Sequence, residues 1–274
     1  MSNQLNIVSW NCKGLDSVPI HNKAITTLAK DLSADVFCLI ESKDDSSNVV
    51  NLLSKSGFTY MEICSSVNDD IKIFAKDCIL FTPSICGERW CSMDYKDSQE
   101  RIIKFFFVHL CAKNSTNEIT RHYRNSLIAT EIKNSSQSVE NIFIVGDFNE
   151  NPYESTLCSY NCFNGIFPSM KSRAENYVIR AYCDKEYFIN PSWDIFTNND
   201  DVAGSFYFKN NAIDCLGWNV LDQVIMSFNA YENIYEKKTL KVIPKTTNID
   251  LLDNGIPNKN NYSDHLPISF NIRR

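Results

Sequence analysis

The fold of this chain is inferred first from the segment Asn141-Ile142-Phe143-Ile144-Val145-Gly146-Asp147-Phe148-Asn149. Four consecutive apolar residues that are β-branched or aromatic are typical of a strand buried in a sheet. We therefore predict a strand over Asn141–Val145 that presents Asp147 and Asn149 where the chain leaves the core. Taken alone, the Gly-Asp-Phe-Asn stretch is equally well explained as a turn, because Gly, Asp and Asn all favour turns.

The same arrangement recurs along the chain, because several polar side chains stand at the end of an apolar strand-like run. Strand ends on a rigid scaffold are where catalytic groups are commonly presented. Each such residue alone also has an ordinary structural explanation, as a turn former, a strand end or a core histidine. The residues with this placement are Asn11, Glu41, His109, Asp147, Asn149, Asp222, Asp264 and His265.

Apolar spacing predicts the remaining elements. Ile25, Leu28, Ala29 and Leu32 fall on one face of a predicted helix over 22–32. Further helices are predicted at 49–53 and around 123–132, and strands at 5–10, 35–40, 58–63, 71–74, 78–81, 102–110, 204–208, 222–227 and 266–272. This pattern favours an α+β protein in which two sheets pack together with helices outside. No break in composition divides residues 1–274, so we predict a single domain.

Composition excludes several classes of protein. The chain has 274 residues, of which 43% are hydrophobic and 22% charged, which is ordinary for a globular domain and not for a disordered chain. The net charge of −6 argues against a passive nucleic-acid coat. An acidic enzyme can still meet phosphates through a metal ion, because the ion is then the largest local positive charge.

Cysteine usage and the apolar runs predict a cytoplasmic protein. The 11 cysteines are odd in number and include no CxxC pair, whereas a secreted disulfide framework is usually evenly paired. The first strand-like run begins at Leu5, which leaves no room for an export signal. No apolar stretch approaches the roughly 20 residues that cross a bilayer, so we expect no membrane contact.

The polar residues at the strand ends share a chemistry. Four of them are carboxylates, two are amides, and two are among the four histidines of the chain. Hard oxygen ligands of this kind suit Mg²⁺ or Mn²⁺. No spacing of thiolates or histidines suggests structural zinc.

Taken together, the motifs around these residues resemble a known family. In chain order they are Ser9-Trp10-Asn11, Ile40-Glu41-Ser42-Lys43, Val108-His109-Leu110, Gly146-Asp147-Phe148-Asn149, Trp218-x-x-x-Asp222-Gln223 and Ser263-Asp264-His265-Leu266-Pro267. One short motif is weak, but six in this order resemble the endonuclease/exonuclease/phosphatase superfamily, the metal-dependent fold of pancreatic-type deoxyribonuclease and exonuclease III. The resemblance implies a four-layer α/β/β/α sandwich of two mainly antiparallel sheets.

The resemblance also implies roles for individual residues. Glu41 would hold the divalent cation, with Asn11 and Asp264 nearby. Asp147 would orient or deprotonate the attacking water, with its geometry fixed by Asn149. Which group takes the proton stays open between Asp147 and His265.

The two histidines of the motifs would meet the phosphate. His265 would contact it or act as the base, with Asp222 setting its tautomer and raising its pKa. His109 would donate a hydrogen bond and stabilise the growing charge.

The sequence is compatible with three functions. A nuclease is favoured, because Glu41-Ser42-Lys43 resembles the Glu-Thr-Lys of exonuclease III-like enzymes and because Lys43, Arg121 and Arg124 could contact phosphates. A phosphatase or phosphodiesterase acting on a small molecule or lipid headgroup is the alternative, although Asp222-Gln223 departs from the Asp-Arg of inositol polyphosphate 5-phosphatases. A non-catalytic binding protein is disfavoured because no metal or acid–base residue is missing.

The segment after the central strands narrows the resemblance further. Asn190-Pro191-Ser192-Trp193 and Gly204-Ser205-Phe206-Tyr207-Phe208 look like a bacterial subgroup. Trp193, Phe206 and Tyr207 are interpreted as core aromatics rather than as substrate contacts. The repair motif that abasic-site enzymes carry after the central strand is absent, since His109-Leu110-Cys111-Ala112 occupies its place.

Overall fold

The computed structural model describes residues 4–13, 19–113, 117–170, 187–198, 202–209 and 217–274. Within these residues one sheet has six strands, with the bounds β1 Gln4–Asn11, β2 Val36–Ile40, β3 Tyr60–Ser65, β4 Ile71–Lys76, β14 Lys241–Val242 and β17 Ile268–Arg273. Their order across the sheet is β14-β17-β1-β2-β4-β3. Only β1 and β2 pair in parallel in this sheet.

A second sheet of seven strands lies against the first. Its bounds are β5 Phe81–Cys86, β6 Trp90–Lys96, β7 Ile102–His109, β8 Asn141–Asp147, β9 Gly165–Ile166, β10 Phe188–Ile189 and β13 Asp222–Ser227. The order across the sheet is β5-β6-β7-β8-β13-β10-β9, with β7/β8 and β9/β10 parallel. Two short ladders join β11 Phe206–Tyr207 to β12 Trp218–Asn219, and β15 Leu252–Asp253 to β16 Ile256–Pro257.

The helices lie between the strands in the sequence. Their bounds in the described part of the chain are α1 Pro19–Asp31, α2 Ser46–Ser54, α3 Glu118–Ser135, α4 Ser155–Cys158, α5 Ile195–Asn198 and α6 Phe228–Asn233, with 3-10 turns at Pro168–Met170 and Pro191–Asp194. Of the helices in these ranges, none has the length and apolar character needed to cross a membrane.

The alternation of side chains along β7 and β8 creates two separate cores. Phe143 of β8 stacks on Phe105 of β7 and on Phe270 of β17, with ring centroids 5.2 and 5.9 Å apart, so these rings fill the space between the sheets. The next residues along the strands, Phe106 and Ile144, point the other way and belong to the core beneath α3. A strand buried on both faces must be continuously apolar, which explains the unbroken apolar run at residues 142–145.

The first sheet is covered in the same manner on its outer face. Asn11 at the end of β1 points toward the second sheet, and the preceding residue Trp10 points to the opposite side, where its ring lies 5.1 Å from that of His21 in α1. The layers are therefore helix, sheet, sheet and helix. This arrangement confirms the predicted four-layer α/β/β/α sandwich, with three parallel strand pairs within sheets that are otherwise antiparallel.

Most predicted elements are present, with shifted ends, whereas β6, several two-residue strands and the helix α6 were not predicted. The strand predicted at 78–81 is wrong, because Asp77–Leu80 forms the tight turn from β4 to β5. In this turn Ile79 N donates to Lys76 O, and Leu80 is 86% exposed. Strand β6 was missed, although Cys91, Met93 and Tyr95 alternate with polar residues in the manner of a strand.

Strand direction gathers the polar strand ends at one edge of the sandwich. The parallel strands β7 and β8 end together at His109 and Asp147, and β1 and β2 end together at Asn11 and Ile40. The antiparallel strand β13 begins at this edge, with Asp222 paired directly with Asp147. Residues far apart in the sequence are therefore brought into one cluster.

Gly146 is required where β7 and β8 approach most closely. It has a φ of +135°, and a Cβ at this position would lie 2.2 Å from the carbonyl oxygen of Val108. We expect Gly146→Ala to lower the free energy of unfolding by more than about 2 kcal/mol, because the strands must separate. Urea denaturation of the purified variant measures this change.

The matched control is Gly57→Ala. Gly57 also has a positive φ, of +100°, but a Cβ there meets no atom within 4 Å. This variant carries the backbone strain without the clash, so it should be the less destabilised of the two. Equal losses of stability would show that β7 and β8 do not need the glycine contact.

Candidate active site

Asp147 lies at the centre of the cluster at the sandwich edge. Its carboxylate is 1% exposed and is held by amides: Asn11 Nδ2 donates to Oδ2 at 2.9 Å, and Asn149 donates from its backbone N to Oδ1 at 2.8 Å and from Nδ2 to Oδ2 at 3.3 Å. Burial raises the pKa of Asp147, and the nearby histidines counteract the increase. The carboxylate is therefore both oriented and more basic than a carboxylate in water.

A histidine stands on one side of Asp147, oriented by a second carboxylate. His265 Nδ1 donates to Asp222 Oδ2 at 2.8 Å, and its Nε2 faces Asp147 Oδ2 at 3.9 Å. Burial alone would lower the pKa of His265, but the charges of Asp222 and Asp147 outweigh it and raise the pKa to about 9. The Asp222 contact leaves Nε2 as the ring nitrogen that faces the site.

A second histidine stands on the other side in the same arrangement. His109 Nδ1 contacts Asp70 Oδ2 at 2.5 Å, and its Nε2 lies 3.9 Å from Asp147 Oδ2 and 3.3 Å from Glu41 Oε1. Burial would lower the pKa of His109, but the Asp70 hydrogen bond and the nearby carboxylates raise it. Asp70 in turn has a lowered pKa, since the contact with His109 exceeds the effect of its own burial.

Side chains of the site form a cluster that could hold a divalent cation. Asp147, Asp222 and His265 each offer a ligand atom, and these atoms lie within 4.8 Å of one another. Oδ1 of Asp222 is buried and accepts no hydrogen bond from any described residue. Glu41, whose side chain is 36% exposed, adds a carboxylate at the mouth beside Asn11. The donors are mainly oxygens, which fits Mg²⁺ or Mn²⁺.

Strained backbone marks the same region. Lys13, Glu41 and Asn149 have φ values of +50°, +56° and +52°, in the left-handed region that non-glycine residues rarely adopt. Such conformations cost free energy and persist where the surrounding structure fixes them, commonly at functional sites. At Glu41 and Asn149 the conformation turns the chain sharply at a strand end.

Asp264 was expected near the metal together with Glu41 and Asn11. Glu41 and Asn11 contact each other, whereas Asp264 contacts a different residue. One of its carboxylate oxygens forms an ion pair with Lys13, and the other is buried without a hydrogen bond from the described residues. The adjacent Ser263 donates from Oγ to Asn11 O at 2.7 Å and accepts from His265 N. The Ser-Asp-His motif thus fastens the start of β17 to the end of β1, and a role for Asp264 at the metal stays a prediction.

The three basic residues expected to contact phosphate lie in different surroundings. Arg121 is buried and its Nε donates to Glu150 Oε1 at 3.1 Å, so its side chain is not available to a substrate, and that expectation is corrected. Arg124 is exposed and lines a depression together with Arg89. Lys43 lies beside Glu41 in a groove that also includes Asp70.

Several residues of the site were missed by the sequence interpretation. Asp70 and Arg89 lie on turns. The guanidinium of Arg89 donates to His109 O, and the backbone carbonyl of Arg89 accepts from His109 N. Phe206, interpreted as a core aromatic, is half-buried and its ring lies 4.8 Å from that of His265. No local signal marked Asp70 or Arg89, whereas Phe206 belonged to a motif already noted.

Gln223, by contrast, serves the scaffold. It is fully buried, and its amide donates to Glu150 O and Val220 O at 2.6 and 2.9 Å. Its oxygen accepts from Asn190 Nδ2 at 2.9 Å. The residue after Asp222 therefore holds neighbouring loops together, because successive side chains of a strand point to opposite faces.

Comparison with known families gives one match that covers most of the chain. A model of the Endonuclease/Exonuclease/phosphatase family matches residues 8–265, which include every residue of the site. A comparison with curated proteins gives no match.

Solved structures share the fold at low sequence identity. D. rerio TDP2 complexed with a single strand DNA product is 15% identical, with 100% of each chain covered and a TM-score of 0.58. A family protein from Bacteroides thetaiotaomicron is 14% identical over 98% of this chain and 97% of its own, with a TM-score of 0.57. The human Nocturnin catalytic domain with bound sulfate anion is 15% identical over 99% and 95%, with a TM-score of 0.56. At these identities the similarity establishes the fold.

The Asp222–His265 pair predicts a dependence of stability on pH. The pKa of His265 is about 9 in the folded protein and near its ordinary value of 6.5 when unfolded. A pKa raised on folding stabilises the protein below about pH 6.5, and this stabilisation is lost as the pH rises through about 9. In metal-free protein we expect a loss on the order of 1–3 kcal/mol, measured by urea denaturation in EDTA.

The control removes both members of the pair. His265→Gln combined with Asp222→Asn leaves neither a titrating imidazole nor an unpaired buried carboxylate. Its free energy of unfolding should change less than that of the wild type between about pH 6.5 and about pH 9. The same slope in both proteins would show that the pair does not link folding to protonation.

Proposed function

Because the chain belongs to the endonuclease/exonuclease/phosphatase family, we propose that it is a divalent-metal-dependent phosphoesterase whose substrate is nucleic acid. The observation that carries the proposal is the placement of the Asp147 carboxylate between two imidazoles, each oriented by its own carboxylate. This arrangement supplies an acceptor for a water proton and two donors for a phosphate in one place.

The chain's own groups suggest which residue accepts the proton. The pKa of His265, raised to about 9, favours a protonated imidazole near neutral pH, which can donate but not accept. The pKa of His109 is raised as well, in the direction of the same role. Asp147 is the remaining oriented acceptor, and its burial makes it more basic. We infer that Asp147, rather than His265, takes the proton of the attacking water.

The imidazoles then act on the phosphate. Nε2 of His109 and Nε2 of His265 face the same space, so both can donate to phosphate oxygens as negative charge grows. Asp70 and Asp222 hold the rings in position and stabilise their positive charge. Glu41 and Asn11 would hold the divalent cation, which when bound supplies Lewis-acid stabilisation of a phosphate oxygen. Hydrolysis breaks one P–O ester bond as the water oxygen bonds to phosphorus.

Two observations support nucleic acid as the substrate. The half-buried ring of Phe206 offers a flat apolar face beside His265, on which a nucleobase can stack. D. rerio TDP2 shares the fold and is described with a single strand DNA product, and human Nocturnin with a bound sulfate anion, a tetrahedral oxyanion like phosphate.

A small phosphate ester is the second candidate, supported by the charge of the protein. The chain carries a net charge of −6, and Glu41, Asp69 and Asp70 line the groove beside the site. A long polyanion would meet the negative charge of the chain as a whole, whereas a small ester would meet only the donors inside the site.

Hydrolysis assays on a panel of substrates test the proposal. The purified protein is incubated with supercoiled plasmid, single-stranded DNA, RNA or small phosphate esters, each with Mg²⁺, Mn²⁺ or EDTA. We expect cleavage of nucleic acid that requires the cation. Asp147→Asn should reduce the rate by about 100-fold or more, because the isosteric amide cannot accept the proton.

Matched variants identify the group responsible. His265→Ala and His109→Ala should each lose activity, whereas His122→Ala should retain it, because His122 contacts Ser155 away from the site. Full activity of Asp147→Asn would contradict the mechanism. Cleavage of small esters with intact nucleic acid would instead establish the second candidate, and turnover that persists in EDTA would exclude metal dependence.

A further inference from the structure

Three cysteines from separate parts of the chain converge at one edge of the sandwich. Cys64 lies on β3, Cys86 on β5 and Cys91 on β6, and their sulfur atoms are all within 4.8 Å of one another. All three are free thiols. Because β3 and β5 are the terminal strands of different sheets, the cluster bridges the two sheets where the sandwich is open.

The local backbone directs these side chains toward one point. The pairing of β3 with β4 shifts register between Glu62 and Cys64, and the pairing of β5 with β6 shifts between Pro83 and Cys86. A β-bulge re-aims the side chains that follow it. Each of the two terminal strands therefore has an irregularity immediately before its cysteine, which a merely apolar contact between sheets does not need.

The cluster is accessible from one side. Cys91 is buried, whereas Cys64 and Cys86 are partly exposed, so a small solute can reach the sulfurs without opening the core. The site is separate from the carboxylates of the active site.

We propose that Cys64, Cys86 and Cys91 form a binding site for a thiophilic d¹⁰ cation such as Zn²⁺. Three thiolates are the donor set that selects soft cations over Mg²⁺ or Ca²⁺. With metal–sulfur bonds of about 2.3 Å, the sulfurs of a tetrahedral site lie roughly 3.8 Å apart, so the observed cluster needs only small side-chain shifts to bind. A solvent molecule can complete the coordination on the open side.

The electrostatics of the cluster agree with this geometry. The hydrogen bond from Cys91 lowers the pKa of the Cys86 thiol to about 6, which outweighs the effect of burial. Hydrogen bonds with Cys64 and Cys86, together with burial, raise the pKa of the Cys91 thiol. A divalent cation would replace the thiol protons and neutralise the charge that the thiolates carry, so its binding should strengthen as the pH rises.

Titration with Cd²⁺ tests the site directly. Cadmium–thiolate bonds give an ultraviolet charge-transfer absorption that carboxylate ligands do not, so the active site does not contribute to the signal. Full-length protein, reduced and freed of metal by a chelator, should show an absorption that saturates at one Cd²⁺ per chain. Zn²⁺ should displace the Cd²⁺ and raise the melting temperature of the protein.

Serine variants assign the signal to the three sulfurs. Cys86→Ser and the triple variant Cys64→Ser, Cys86→Ser, Cys91→Ser should lose the saturating absorption and the thermal stabilisation by Zn²⁺. Cys78→Ser is the matched control, because Cys78 is exposed on the turn after β4, and it should behave as the wild type. An unchanged absorption in the triple variant would overturn the proposal.

Two further measurements keep the test decisive if a variant fails to fold. The ¹¹³Cd NMR shift of the wild type counts sulfur ligands without any substitution, and a shift typical of oxygen ligands would overturn the proposal. Thiol counting after exposure to Zn²⁺ and air distinguishes a cation site from a redox pair. Formation of a Cys86–Cys91 disulfide despite saturating Zn²⁺ would contradict cation binding, since these residues are directly paired across β5 and β6.

Discussion

The rest of the active site depends on one constraint, the burial of the Asp147 carboxylate. A buried charge is costly unless it is paired and hydrogen-bonded. Asn11 and Asn149 supply the hydrogen bonds, while His109 and His265 supply the charge. These partners come from both sheets, so the sandwich must align its strand ends to within hydrogen-bonding distance. The same alignment that stabilises the carboxylate creates the acceptor and donors of the proposed reaction.

Two carboxylates of the site stand behind its two histidines. The chain as a whole is acidic, with a net charge of −6. Asp70 and Asp222 are nevertheless placed behind the rings of His109 and His265, where they raise the pKa of each imidazole. Each of these two carboxylates contacts Nδ1 of its ring, which leaves Nε2 of both imidazoles facing Asp147. A metal held by Glu41, as proposed, would add positive charge here, so that an acidic chain could bind an anion at this point without a basic surface.

Much of the fold and site could be predicted because both depend on strands that are continuously apolar. The strand 222–227 has the predicted bounds, and the residues that end β1, β7 and β8 meet as expected. Partners supplied by turns could not be predicted, since nothing in the local sequence of Asp70 relates it to His109. Arg121 was misjudged for the same reason: a basic residue on a helix predicts exposure, and only the tertiary structure supplies the buried carboxylate of Glu150.

The cysteine cluster is likewise assembled only by the tertiary structure, and backbone contacts link it to the active site. Its members escape any spacing rule, because Cys64 comes from a different sheet than Cys86 and Cys91. The turn that follows β3 contains Asp70, and the turn between β5 and β6 contains Arg89. Val67 N donates to Gly87 O and joins the two turns, while Asp70 and Arg89 both contact His109. A cation that holds Cys64 and Cys86 together therefore also restrains the two turns that position this histidine.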